Sequence, residues 1–379
     1  MYYDGIMGIR SVGSLLTCTK STVFPERGLQ NPQFDLEALE RGSRLKSLEI
    51  IGDVKKAEGL IRRVGFVTLA GHAYSAFIGI PNEQSIDVPI VSTSAWFTST
   101  EGFNEHVARE LMEQGNTVFF VGSEGSYHGA FDCGGSFSDI SLARSAAAVL
   151  RFSQEAPGLV DKQIQVSEKD RFLNGDSRGA MVAMGMMAFD SYFGQNIVYG
   201  DVTAACFPQR FNLLKDKRKL LKFVAQEPVM LAILIAPMPV RKRIELLSTI
   251  DLHPASFVHQ LAITGAIFSG EAGDLAQHIP TDKVAHVLVY RGDDVSMHVE
   301  WDKIFVDHDE VRITGVGGSH LTIADPNTLA FQLARNQAVR EQYTQGMQMS
   351  VAKVSVRAHE VVDNYRTKDC PTSDMALVS

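Results

Sequence analysis

The sequence predicts an α/β protein: a mostly parallel central sheet flanked by helices, with an inserted helical cap. Three observations carry that expectation. From Val88 onward, short continuous apolar runs alternate with stretches of helical periodicity, the signature of strands buried on both faces between covering helices. A Gly-x-Ser-x-Gly pattern, Gly175-Asp176-Ser177-Arg178-Gly179, falls where a strand run gives way to a helical run. Residues 206–282 break the alternation with helical periodicity and no strand signal.

Taken in order, residues 1–32 are Gly-, Ser- and Thr-rich and carry no clear periodicity. Phe34–Arg63 is charged and reads as helical. Val64–Leu69 and Tyr74–Ile80 read as strands joined through Ala70-Gly71-His72, a hairpin. Val88–Thr93 is a fully buried strand. Gly102–Gln114 places Phe103, Val107, Leu111 and Met112 at helical spacing and stops at Gly115, a C-cap residue. Thr117–Val121 is a strand and Asp139–Gln154 a helix. Arg171–Asn174 is a short strand leading into the apolar helix Ala180–Phe189. Strands at Asn196–Thr203, Val284–Tyr290 and Glu310–Thr314 follow, then a closing helix at Pro326–Gln342. The β-α-β order makes the sheet mostly parallel. The domain expectation is an extension at 1–63, a core at 64–205 and 283–345, a cap at 206–282, and a C-terminal helix with a mobile polar tail at 346–379.

Composition bounds the function. The 379 residues hold 36 Lys+Arg against 44 Asp+Glu, a net charge of −8, which disfavours a nucleic-acid partner. Cys18, Cys133, Cys206 and Cys370 form no Cys-x-x-Cys pair, against a zinc ribbon or a disulfide scaffold. The longest apolar run, Val229–Val240, is 12 residues and holds Pro237 and Pro239, too short to span a membrane. With no secretory signal at the start, the expected location is cytoplasmic.

The chemistry centres on Ser177. A Gly-x-Ser-x-Gly turn between strand and helix holds the serine at a tight tip, and its small flanking residues Gly175 and Gly179 prevent collision. A serine hydroxyl needs a base, and His320 sits on Gly315-Val316-Gly317-Gly318-Ser319-His320, a Gly-rich loop after the last strand. A carboxylate must orient the imidazole. Strand Val284–Tyr290 ends in Gly292-Asp293-Asp294; Asp294 is preferred, Asp293 is the alternative, and Asp201 a distant third. Asp176, beside the serine, should point away from it and act structurally. His128 reads as a polar loop residue, and His253, His259 and His278 lack metal-ligand spacing.

With these residues in place, the chain resembles the α/β-hydrolase superfamily over about residues 64–342. The order Ser177, Asp294, His320 is that superfamily's order. The resemblance implies oxyanion donors at the backbone N–H groups of Trp96, after strand Val88–Thr93, and of Arg178. Ser94-Ala95 stands where the family often has His-Gly. The implied activity is hydrolysis of a small to medium lipophilic carboxylic ester, with water as co-substrate and no cofactor or metal. Thioesters, amides, lactones, carbon–carbon bonds and acyl transfer use the same residues. A non-catalytic binding protein on this fold is the reading from a different class. Residues 1–60 would cover a sheet edge or mediate homodimerisation.

Overall fold

The computed structural model describes residues 35–93, 103–122, 127–128, 131–132, 139–161, 164–176, 178–203, 275, 278–290, 305–316 and 326–369. Nine strands form one sheet: β1 Leu45–Lys55, β2 Gly59–Thr68, β3 Ala73–Pro81, β4 Ile90–Thr93, β5 Val118–Val121, β6 Asp170–Asp176, β7 Asn196–Thr203, β8 Ala285–Tyr290 and β9 Val311–Val316. Their spatial order is β1-β2-β3-β5-β4-β6-β7-β8-β9. β1, β2 and β3 are antiparallel neighbours and β3 is antiparallel to β5. From β5 across β4, β6, β7 and β8 to β9 every pairing is parallel. A two-residue ribbon pairs Tyr127–His128 with Phe131–Asp132.

The covering helices are α1 Leu36–Ser43, α2 Phe103–Glu113, α3 Asp139–Val160, α4 Arg178–Phe189, α5 Pro326–Thr344 and α6 Val351–Asp369. They divide by face. Strand residues Val64, Phe66, Val91, Phe119, Leu173, Val202 and Val287 pack against α3 and α4. Their alternates, including Ile61, Phe77, Ile90, Phe120, Phe172 and Tyr199, pack against α2, α5 and the start of α6. The period-2 alternation of the strands feeds two hydrophobic layers, which is why the parallel strands read as continuous apolar runs. Alanine suits α3 where it crosses α4: a Cβ on Gly185 would already stand 3.0 Å from Ala146 Cβ.

The expected helix over Phe34–Arg63 is confined to α1, and residues 45–63 belong to the sheet. β1 lies at the sheet edge with no fully buried residue, so Lys46, Glu49, Asp53 and Lys55 interrupt any apolar alternation. Register shifts between Leu45 and Ser47 and between Ile50 and Gly52 break the period of two a second time. The remaining expected strands and helices from Val64 to Thr344 fall where the sequence places them, within about four residues at each end, except that α3 runs six residues past Gln154 to Val160, through Pro157, and that the ribbon at 127–132 carries no sequence signal. Gly115 ends α2 at φ +78°, as its C-cap assignment requires. α6 reaches Asp369, so Thr367 to Asp369 continue a helix where the sequence suggests a polar tail.

The proposed cap lies almost wholly outside the described residues. Of 206–282, only residues 275 and 278–282 are described, and Leu275 and Ile279 are buried in the layer with α3 and α4. No described helix is long and apolar enough to cross a membrane.

Candidate active site

All six parallel strands point their carboxyl ends to one edge of the sheet. The connection from β4 runs to β5 on one side, and the chain then returns past β4 to β6 on the other. Such a reversal opens a crevice at the carboxyl ends, where α/β sheets bind their ligands. Ser177 directly follows β6, Trp96 is three residues beyond β4, Asp293 and Asp294 are three and four beyond β8, and His320 is four beyond β9. Ser177, Trp96, Asp293, Asp294 and His320 themselves lie outside the described residues, and Arg178 is described only as the first residue of α4.

The turn into α4 is described on both sides. A single residue, Ser177, separates Asp176, the last of β6, from Arg178, the first of α4. Such a connection forces the helix start against the strand end. A Cβ on Gly175 would stand 2.7 Å from Ala183 Cβ, 2.7 Å from the Gly179 carbonyl oxygen and 3.0 Å from Ala180 Cα. Only glycine fits there. The Thr93 hydroxyl, at the end of β4, donates to the Gly179 carbonyl at 2.7 Å and ties the neighbouring strand to the first turn of α4. That first turn carries no acidic residue, so the positive end of the helix dipole is left facing the turn. The described residues form a mostly parallel α/β sheet with helices on both faces.

No family profile matches the chain, and no curated protein resembles it in sequence. Solved structures with a similar course include an acetyl xylan esterase from a Thermoanaerobacterium species, at 13% identity and a TM-score of 0.49, covering 84% of this chain and 97% of that one. A Pyrococcus furiosus esterase is similar at 16% identity and a TM-score of 0.48, covering 85% and 97%. A thermostable carboxyl esterase from Bacillus coagulans is similar at 16% identity and a TM-score of 0.47, covering 76% and 99%.

Beneath the crevice, on the face towards α5, a polar row crosses the sheet. Ser92, Asn174, Asp201, His286 and Arg312 are successive register partners on β4, β6, β7, β8 and β9. Asp201 is fully buried, and Arg335 of α5 grips it with two hydrogen bonds, Nε to Oδ2 at 2.7 Å and Nη2 to Oδ1 at 2.9 Å. This committed pairing removes Asp201 from the candidates for the carboxylate that orients His320. Gln332 of α5 donates its amide to the Asn174 side-chain oxygen. Asp176 is buried on the same alternating face as Asn174, in keeping with a structural role beside Ser177. Burial and the Asp201 carboxylate push the neighbouring Tyr199 phenol up, so it stays protonated.

His286 is not a second base. Burial, then the positive charges of Arg335 and Arg312 and the nearby His359, push it from 6.5 down to about 2. Its neutral ring shares a hydrogen bond with Thr314 Oγ1 at 2.8 Å. Between those two pKa values the unfolded chain binds a proton at His286 that the folded protein refuses. Stability is therefore unaffected above pH 6.5 and falls below it, by up to about 1.4 kcal/mol per pH unit. His286→Gln, which can still bond Thr314, should flatten that acid limb. Urea unfolding at about pH 5 and about pH 7 checks it, with the wild type expected to lose about 2 kcal/mol more than the variant. Equal losses would mean that His286 titrates normally.

The polar row was hidden in runs that read as plain strands. Its sequence signal is the polar residue at alternate positions of an otherwise apolar strand: Asn174 and Asp176 on β6, Asp201 and Thr203 on β7. Gln332 and Arg335 carry no comparable signal, because polar residues on a helix read as solvent-facing. Among the described residues no group of His, Cys, Asp or Glu could hold a metal ion.

Proposed function

We propose that the protein is a serine hydrolase of carboxylic esters, acting through an acyl-enzyme on Ser177. The observation that carries this reading is the one-residue passage from β6 to α4, closed by Gly175 against Gly179, Ala180 and Ala183. A serine at such a turn stands proud of the sheet at the helix N-terminus, where developing negative charge is favoured. His320 takes the Ser177 proton as the hydroxyl oxygen attacks the acyl carbonyl carbon. Asp294, or Asp293 in its place, holds the imidazole and stabilises its cation. The backbone N–H groups of Trp96 and Arg178 receive the oxyanion. The tetrahedral intermediate expels the alcohol, which leaves with the proton from His320. Water, deprotonated by the same histidine, then attacks the acyl-enzyme and frees Ser177 and the acid.

The order of the strands supports this set of roles. β8 and β9, which lead to the acid and the base, are neighbours, and β7 alone lies between β8 and β6. At about 4.8 Å per strand, β9 stands about 14 Å from β6, a gap that a four-residue loop plus an imidazole can bridge. Residues 206–282 would form the cap that shapes a pocket for a small to medium lipophilic acyl group, and the reaction needs no cofactor.

A fluorophosphonate probe should label the wild-type protein and spare Ser177→Ala, whose ester turnover should fall by about 10⁴-fold or more. Labelling of both at equal strength would overturn the proposal. A panel of p-nitrophenyl esters and acyl thioesters then fixes the bond cleaved and the acyl length.

A further inference from the structure

The helix α5 begins six residues after His320 and does not stay over β9, the strand that leads to that loop. It returns across the sheet and lies along β6, antiparallel to it. Near its start Gln332 donates to Asn174, three residues before Ser177. Near its end the Tyr343 hydroxyl donates to Asp170 at 2.6 Å, and its ring meets Phe172 edge-on at 5.7 Å. Between them Arg335 holds Asp201 on β7. The segment carrying His320 is thus strung between two fixed points, Val316 on β9 and a helix pinned to the strand of the nucleophile.

We propose that Gln332 and Asn174 are positioning residues, whose side-chain bond sets the register between the segment that bears His320 and the strand that delivers Ser177. This rests on the serine-hydrolase reading. Three features favour the pair. Both side chains are buried, Asn174 wholly and Gln332 to 4% exposure, where an amide is placed for its partner and not for water. Among the described residues the Asn174 Nδ2 has no hydrogen-bond partner, and the Gln332 amide is what holds its Oδ1. And the bond lies at the end of α5 nearest the crevice, whereas Tyr343–Asp170 lies at the far end, where it can fix the helix axis without aiming its first turn. Neither residue touches substrate; they act through the base and the nucleophile they align. A small misplacement of that alignment is expensive in rate because proton transfer requires hydrogen-bond reach.

The test uses the full chain and three proteins: wild type, Gln332→Met, and the exchanged pair Asn174→Gln with Gln332→Asn. Met keeps the length of Gln332 without its amide, and the exchange restores an amide bond of the same total length. Circular dichroism establishes that each is folded, and kcat, KM and the fluorophosphonate labelling rate are then measured. Gln332→Met should lower kcat and the labelling rate on the order of 10- to 100-fold, with KM within about twofold, and the exchanged pair should recover most of the loss. A folded Gln332→Met protein with wild-type kcat, whatever its melting temperature, overturns the inference. So does an exchanged pair that folds and stays as slow as Gln332→Met. Wild-type protein that neither labels nor hydrolyses any ester overturns the hydrolase reading, and the inference with it.

Discussion

Gly175→Ala should lower ester hydrolysis at least about 100-fold and destabilise the fold by about 1–3 kcal/mol. The new methyl group has nowhere to go. It would meet Ala183 Cβ and the Gly179 carbonyl oxygen, each at 2.7 Å, and Ala180 Cα at 3.0 Å. None of these is the end of a flexible side chain, so the relief must come from the backbone, by prying the first turn of α4 away from β6. That turn also carries the Thr93 bond to the Gly179 carbonyl, which would lengthen with it. Asp176 and Arg178, the described neighbours of the proposed nucleophile Ser177, lie on either side of this movement, so rate should suffer more than stability. Ala183→Gly in the same protein removes one of the two closest contacts and leaves the other, so it should restore part of the lost stability and little of the rate. Thermal melts and labelling rates of the single and double variants check both parts. A Gly175→Ala protein of wild-type rate would mean that the strand-to-helix packing does not govern the serine.

Arg335→Leu should cost about 3–5 kcal/mol, the largest single loss expected among the described ion pairs. Asp201 is fully buried on an interior strand of the sheet, and both its oxygens accept from Arg335. Removing the guanidinium strands a carboxylate with no water to turn to. Replacing Asp201 by Leu as well should return most of the lost stability, since the cost arises from the uncompensated charge and not from the missing attraction. Urea unfolding of the two variants measures this directly. A loss below about 1 kcal/mol in the single variant, the value of an exposed pair, would mean that water reaches Asp201. The same substitution has a second readout. Arg335 is one of the charges that keep His286 unprotonated, so its removal should raise the His286 pKa, visible in the imidazole proton shifts. Surface pairs offer a contrast: Arg41–Glu37 is exposed on both sides and should tolerate substitution of either residue.

How much of this was legible beforehand depends on where each residue sits. Strands buried on both faces, such as Val118–Val121, announce themselves by composition, because every position must be apolar. The edge strand Leu45–Lys55 hides, because none of its residues is fully buried, which admits charge along it, and two register shifts spoil its period. The tight turn from β6 into α4 was legible as Gly175 and Gly179, because a steric demand within a few residues of chain leaves a local mark. The anchoring of α5 was not: Gln332 and Asn174 are 158 residues apart, and nothing near either one specifies the other.

The sequence by itself determined the alternation of strand and helix, the glycine-flanked serine between β6 and α4, and the order in which serine, acid and histidine follow one another. These are consequences of local sterics and of hydrophobic periodicity, which act over a turn of helix or two steps of strand. Only the tertiary structure decided that Asp201 is bound by Arg335 and so is not free to orient a histidine, that His286 is a neutral structural group, and that α5 ties the histidine's segment back to the serine's strand. Those facts depend on which side chains the sheet order brings face to face in a dry interior. There a partner's position, and not a residue's own type, sets whether a charge is held, suppressed or left to react.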